Sequence, residues 1–239
     1  MSDADFSLWV YLSRTPLLWL TVTLLAYVAA EWLSAALKRH PLANPILIAV
    51  VLAAGLLAAT GTPYRTYFEG AQFVHFLIGP ATVALAIPLY RNRRTVWRAI
   101  LPMTAALLAG SLAAMLSALL IAKAFGVPGS VLAALAPKSV TAGVAMGIAG
   151  SLGGDPALAA VLVILTGAIG AVTVTPLMNA LRLRDMRARG FAAGLAAHGI
   201  GTARAFHVDL VAGTFAGIAL ALNALVSAVL APVVLRALL

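Results

Sequence analysis

Lys138, Ser139 and Thr141 stand together in the stretch LAPKSVTAGVAMG at 135–147, inside an otherwise apolar run. An ammonium beside two hydroxyls suits a small anion, because the amine brings charge and the hydroxyls bring hydrogen bonds. A second group, His198, Thr202 and Arg204, stands in HGIGTAR at 198–204. In a helix His198 and Thr202, four residues apart, share a face. In this reading Lys138 and Arg204 neutralise a carboxylate, while Ser139, Thr141 and Thr202 bond its oxygens or a 2-hydroxyl. His198 titrates near neutrality and could carry a proton. The plain alternatives are that Lys138 and Arg204 snorkel to a membrane surface and that His198 is a satisfied packing histidine.

The elements that position these groups follow from the solvent the chain is built for. Of 239 residues, 63% are apolar and 10% charged, with a mean hydropathy of +1.04. A soluble domain carries roughly 25% charged residues, so the composition specifies an integral membrane protein. The net charge of +9 is concentrated in short basic stretches at 38–39, 91–98 and 182–189. Those stretches are a topology signal that places them in the cytoplasm, not a nucleic-acid surface. The chain has no cysteine, which excludes disulfides and thiolate chemistry. The N-terminal stretch is acidic rather than basic, so the first apolar span reads as a retained helix.

Apolar spans are expected at 16–37, 45–60, 70–90, 100–122, 157–181 and 208–235, with 62–69 as an outer loop. The fold class is all-α: a polytopic transmembrane helical bundle of one membrane domain, 1–239, with about 7–8 membrane segments. With all three basic stretches inside, 130–150 must begin and end on the outer side. It therefore reads as a re-entrant hairpin broken within three residues of Pro137. If Pro137 starts a half-helix, the N–H groups of Lys138, Ser139 and Val140 point at the break and favour an anion. Gly199 and Gly201 permit a second break, and the two breaks are expected to face one cavity near mid-membrane. Residues 79–90 echo 136–147, a possible internal repeat of the kind that marks transporter sites. Glu31 is either a relay group or an interfacial partner of Lys38–Arg39. Glu69 and His75 read as a loop end, His40 and His207 as boundary residues, Asp155 as a helix cap, and Asn223 as an interhelical hydrogen bond. The GxxxG spacing at 150–154 falls in a turn and carries no weight. The residues form no catalytic triad, metal cluster or phosphate loop, so neither an enzyme nor a bound metal or cofactor is expected.

Four stretches carry a family resemblance: FEGAQFVHFLIGPATVALAIPLYRN at 68–92, LAPKSVTAGVAM at 135–146, GGDPALAAVLVILTGAIGA at 153–171 and ARGFAAGLAAHGIGTARAF at 188–206. Over most of 44–239 the chain resembles the LrgB/CidB family, with 16–37 as an extra N-terminal helix. The bacterial YohK proteins and the plastidic glycolate/glycerate translocators are similar. The resemblance implies one of two roles in a multi-pass bacterial inner-membrane protein. One is transport of a small monocarboxylate such as glycolate, glycerate or pyruvate, coupled to protons or cations. The other is antiholin-like control of murein-hydrolase export and autolysis, with a small LrgA/CidA-like partner. A homodimer is expected, and no nucleic acid. The chain departs from the family pattern at Ala142 and Gly143, where a Thr and a Pro are usual, and at Ala197, where a Ser is usual. A Glu-rich stretch is replaced by 207–213, with Asp209 the only acid. These departures bear on substrate identity and on cation coupling.

Overall fold

The computed structural model describes residues 15–40, 43–77, 80, 83, 86–91 and 93–239. Among them the only regular element is the α-helix. The chain falls into two compact units, 1–84 and 85–239. The acidic N-terminal stretch lies outside the described residues, as do positions 79, 81, 82, 84 and 85 of the expected repeat.

The first unit holds α1 (Pro16–Ala36), α2 (Pro45–Thr60) and α3 (Tyr64–Phe76). Proline opens α1 and α2, where its missing N–H costs nothing. Asn44 caps α2 by accepting from Ile46 and Leu47 N–H, and Gly61, with φ of 62°, ends it. The expected outer loop at 62–69 is largely helical, and Glu69 and His75 lie on α3 rather than at a loop end. The reason is packing. Gly70 approaches α1 so closely that an added Cβ would lie 2.2 Å from Pro16 O, and Tyr67 meets the buried Trp19 edge-on at 6.0 Å. Glu31 pairs with Arg39 at 2.6 Å, which favours its interfacial reading.

The second unit holds α4 (Ala86–Arg91), α5 (Arg93–Arg98), α6 (Ile100–Ala124), α7 (Gly129–Leu135), α8 (Ala142–Ser151), α9 (Pro156–Ala180), α10 (Met186–Val208) and α11 (Leu210–Leu238). The basic stretch 91–98, read as a loop, forms the short helix α5 over most of its length. With α1, the helices α6, α9 and α11 are the four described helices long and apolar enough to cross a membrane. Large apolar side chains such as Leu101, Ile169 and Leu225 are 80%, 63% and 69% exposed. Such an outer surface suits hydrocarbon, and the protein is a membrane protein.

Helix α11 is the centre of this unit, buried without interruption from Ala212 to Leu220. Asp209 caps it through Val211 and Ala212 N–H, as Asp155 caps α9. Gly190 and Gly194 of α10 lie directly on α11. An added Cβ at either would stand 2.0 Å from Ala212 O or Ala216 O. Small residues four apart let the two backbones touch, the seam that van der Waals association in a bilayer requires. At one end of the unit Arg98 and Arg187 line a single cleft, so the stretches 91–98 and 182–189 share that end. At the other, Lys123 Nζ donates to Leu238 O.

Candidate functional site at two helical breaks

Helix α7 stops at Leu135 and α8 starts at Ala142, so the expected break at Pro137 is present. Its local form differs from expectation. The N–H groups of Lys138 and Val140 are spent on turns, bonding Leu135 O and Pro137 O. Thr141 is the N-cap residue, extended at φ −66° and ψ 150°, and its side chain makes no cap bond. Pro137 therefore ends one arm and does not begin the next. The arms fold back on each other. Gly154, just beyond α8, lies against α7, where an added Cβ would stand 2.7 Å from Ala134 N. That contact gives one glycine of the 150–154 spacing a packing role. Ala134 and Ala149 share one apolar cluster.

Helix α10 is a second hairpin. Asp185 caps its first arm through Arg187 N–H at 2.9 Å. The Arg187 side chain, hydrogen-bonded to the Asp185 carboxylate, holds it down to about 2. The chain turns at Ala197 (φ −123°, ψ 16°) and His198 (φ 43°, ψ −133°). It then returns so closely that a Cβ on Gly201 would lie 2.6 Å from Ala193 O, a pair that a continuous helix would hold about 12 Å apart. The break expected at Gly199–Gly201 thus falls on Ala197–His198. A positive φ with ψ of −133° lies outside the left-handed helical region that histidine visits and is strained by about 1–3 kcal/mol, and side-chain bonds hold it here. His198 Nε2 lies 2.8 Å from Val163 O of α9. A carbonyl only accepts, so Nε2 carries the hydrogen. Thr202 Oγ1 donates to His198 O at 2.8 Å. The glycines serve proximity. Gly167 and Gly170 of α9 admit the His198 ring and Ala197, leaving 2.6 Å and 2.3 Å to an added Cβ.

The two breaks meet at Asn223, which is 1% exposed in the middle of α11. Its Nδ2 donates to Ser139 O and to Leu195 O, both at 3.0 Å. Its Oδ1 accepts from Ser111 Oγ at 2.7 Å and from Ser227 Oγ at 3.2 Å. Leu195 O lies two residues before the turn at 197–198. One carboxamide thus satisfies backbone groups from both hairpins, as a dry interior demands. The signal was present as a lone Asn in a 29-residue apolar helix, but its role extends well beyond a single interhelical bond.

Around this joint the expected residues separate into two sets. Lys138 and Ser139 are half-buried, with Nζ donating to Ser139 Oγ at 3.2 Å. Asn223 links Ser139, which follows Lys138, to Leu195, three residues before His198. Among the described residues no carboxylate pairs with Lys138. Thr141 opens the second arm of the first hairpin, and Thr202 lies one turn from His198. Arg204 is elsewhere. It lines a cleft with Thr175, Met178 and Arg189 at the base of the second hairpin, to which no residue of the first hairpin contributes. Arg189 there donates to Asn179 Oδ1 at 2.7 Å. The joint thus sets one ammonium beside one hydroxyl, Lys138 Nζ and Ser139 Oγ, next to the saturated Asn223 carboxamide.

The LrgB-like family model matches residues 23–237, a match that begins within α1. Holin-like protein CidB of Staphylococcus aureus (strain Mu50 / ATCC 700699) is 32% identical over 219 residues, covering 92% of this chain and 95% of the relative. CidB of Staphylococcus epidermidis (strain ATCC 12228 / FDA PCI 1200) is 30% identical, covering 82% and 86%. YxaC of Bacillus subtilis (strain 168), whose name assigns it no function, is 33% identical, covering 89% and 92%. No solved structure matches. On the extent of the family match and the coverage of these relatives, the chain belongs to the LrgB-like family.

Proposed function

We propose that this protein carries a small monocarboxylate of the glycolate, glycerate or pyruvate type across a bacterial inner membrane, coupled to protons or cations and without covalent chemistry on its cargo. One observation carries the reading. Lys138 is a half-buried ammonium at a helical break, beside Ser139 Oγ, with no carboxylate pairing it among the described residues. A charge set in an apolar segment is costly and marks function by default. Discontinuous helices meeting in mid-bundle are the usual setting of a transporter site. In this reading the cargo carboxylate is the missing counter-charge, Ser139, Thr141 and Thr202 bond its oxygens, and His198 carries a proton. Arg204 acts at the base of the second hairpin, on the path to the basic end. That end, with Arg98 and Arg187, is cytoplasmic by the distribution of basic residues, and the protein is a multi-pass homodimer.

The test is uptake of labelled glycolate and pyruvate into proteoliposomes. Lys138→Ala should abolish flux while leaving a monodisperse protein. Lys138→Arg should retain part of it, since a planar fork replaces a point charge. Normal flux by Lys138→Ala would overturn the reading. The "holin-like" names of the relatives favour a second reading, an antiholin-like regulator of murein-hydrolase export acting with a small LrgA/CidA-like membrane protein. Under it, reconstituted wild-type protein moves no carboxylate, and the buried polar groups serve helix assembly alone.

A further inference from the structure

We infer that Asn223 is the positioning residue of this site, and that it binds the tips of the two hairpins into one body that moves as a unit. The inference rests on the transport reading for its purpose but on separate geometry for its content.

The hairpins enter the second unit from opposite ends. Gly129, where the first begins, lies against Leu239 at the end of α11: an added Cβ would stand 3.4 Å from Leu239 Cδ2. The second begins at Asp185, which lines the cleft at the other end with Arg98. Each hairpin spans 23 positions, 129–151 and 186–208, and each leads into a long helix capped by aspartate, Asp155 or Asp209. Each of those helices carries one interior proline, Pro176 or Pro232. Residues 129–180 and 186–238 are thus two versions of one hairpin-plus-span unit, laid in opposite directions.

In such a pair the tips would be free to withdraw separately unless something ties them, and among the described residues Asn223 is hydrogen-bonded to both. Its two N–H bonds go one to each hairpin, to Ser139 O and Leu195 O, while its oxygen is anchored by Ser111 and Ser227. A terminal amide has two donors and one two-lone-pair acceptor, so this side chain is saturated. Neither tip can leave without stranding a carbonyl in a dry interior. Lys138 precedes one tied carbonyl and His198 follows the other by three residues, so the tie sets the spacing of the groups around the cargo. Any exchange of access must then move both tips together.

Hydrogen–deuterium exchange of the full chain in lipid nanodiscs reads this without substrate. Asn223→Leu removes the donors and the acceptor and keeps the branching and number of side-chain heavy atoms. It should raise exchange of the segments 136–142 and 196–201 together, by about tenfold each, the scale of one lost buried hydrogen bond per tip. The double variant Ser111→Ala/Ser227→Ala removes the bonds to the oxygen and keeps the two N–H bonds, so both segments should stay within about threefold of wild type. Acceleration of one tip alone, or equal acceleration in the serine variant, would overturn the inference. If Asn223→Leu yields no folded protein, the wild type decides: the two segments should open at rates within about threefold of each other, and a wider gap refutes the tie. Because no cargo is needed, failed flux with tied tips removes the transport reading, and flux with untied tips removes only this inference.

Discussion

The contact between Gly167 and His198 allows the second break to be tested by a double-mutant cycle. Alanine at Gly167 places a methyl carbon 2.6 Å from Cε1 and Nε2 of His198 and 2.9 Å from Ile200 Cδ1. Ordinary contact between such atoms lies near 3.5–4.0 Å, so the ring must retreat by roughly 1 Å. Its Nε2 starts 2.8 Å from Val163 O, and that retreat carries it past the limit of about 3.5 Å for a hydrogen bond. The lost bond is worth about 0.6 kcal/mol in a membrane protein and overpacking costs about 1–3 kcal/mol, against a gain of about 0.5–1 kcal/mol for alanine over glycine in a helix, so Gly167→Ala should destabilise by about 1–3 kcal/mol. His198→Gly loses the same bond and leaves the ring's space empty, a cost of about 2–5 kcal/mol, offset by about 1 kcal/mol from relieving a positive φ, and should destabilise by about 1–4 kcal/mol. In the double variant the methyl occupies the space the ring vacates. The two changes should therefore cost about 1–2 kcal/mol less together than the sum of their separate effects. Reversible unfolding of the four proteins in one detergent measures the cycle. Additivity within about 0.5 kcal/mol would show that the ring does not press on Gly167 and would refute the geometry.

Two further outcomes follow from packing and charge. Asp185, held at about 2 by the Arg187 side chain, contributes stability above its unfolded value near 3.9 and loses it as the pH falls through about 2. Thermal unfolding of Asp185→Asn between about pH 4 and pH 2 should therefore decline less steeply than that of the wild type, and equal slopes would remove Asp185 from the acid response. Gly194→Ala drives a methyl to 2.0 Å from Ala216 O, a backbone atom that cannot step aside, whereas Gly143 and Gly147 have nothing within 4 Å. Gly194→Ala should cost at least about 1–3 kcal/mol, and Gly147→Ala should stabilise by up to about 1 kcal/mol; a reversal of that order in the same unfolding assay would break the seam argument.

Large-scale order was legible because it rests on local chemistry. Apolar run length located α6, α9 and α11. Charge parity demanded that 130–150 turn back on itself, and Pro137 marked where. Asp155 announced its cap. What stayed hidden depends on residues far apart in the chain. Gly199 and Gly201 pointed to the right hairpin but to the wrong residues, because His198 is fixed by a bond to Val163, thirty-five positions earlier. Chain folding back through a histidine leaves no local signature, whereas a glycine always suggests one. The seam of Gly190 and Gly194 had the spacing in plain view, but its partner, the Ala212–Ala216 backbone, has no side-chain signature. Arg204 was grouped with Lys138 by charge alone, and the hairpin carries it toward Arg189 instead. The stretch 62–69, expected as a loop, is helical from Tyr64 because Tyr67 and Gly70 pack on α1 at Trp19.

The joint at Asn223 also sets a schedule for biogenesis. Ser139 waits for a partner 84 residues further along, and Ser111 for one 112 residues further along. At roughly 5–20 residues per second, the first hairpin leaves the ribosome some 4–17 s before the side chain that satisfies it is synthesised. Through that interval water must satisfy its tip, and the Lys138 ammonium disfavours entry into hydrocarbon. The hairpin is therefore expected to wait at the bilayer surface while α9 inserts and to reach its final depth only when the last helix arrives, an order that cysteine accessibility of Ser139→Cys in chains arrested before and after 210–238 would read. Insertion order for this protein is thus not the order of its sequence, and the polar groups that would bind cargo are among the last to leave water.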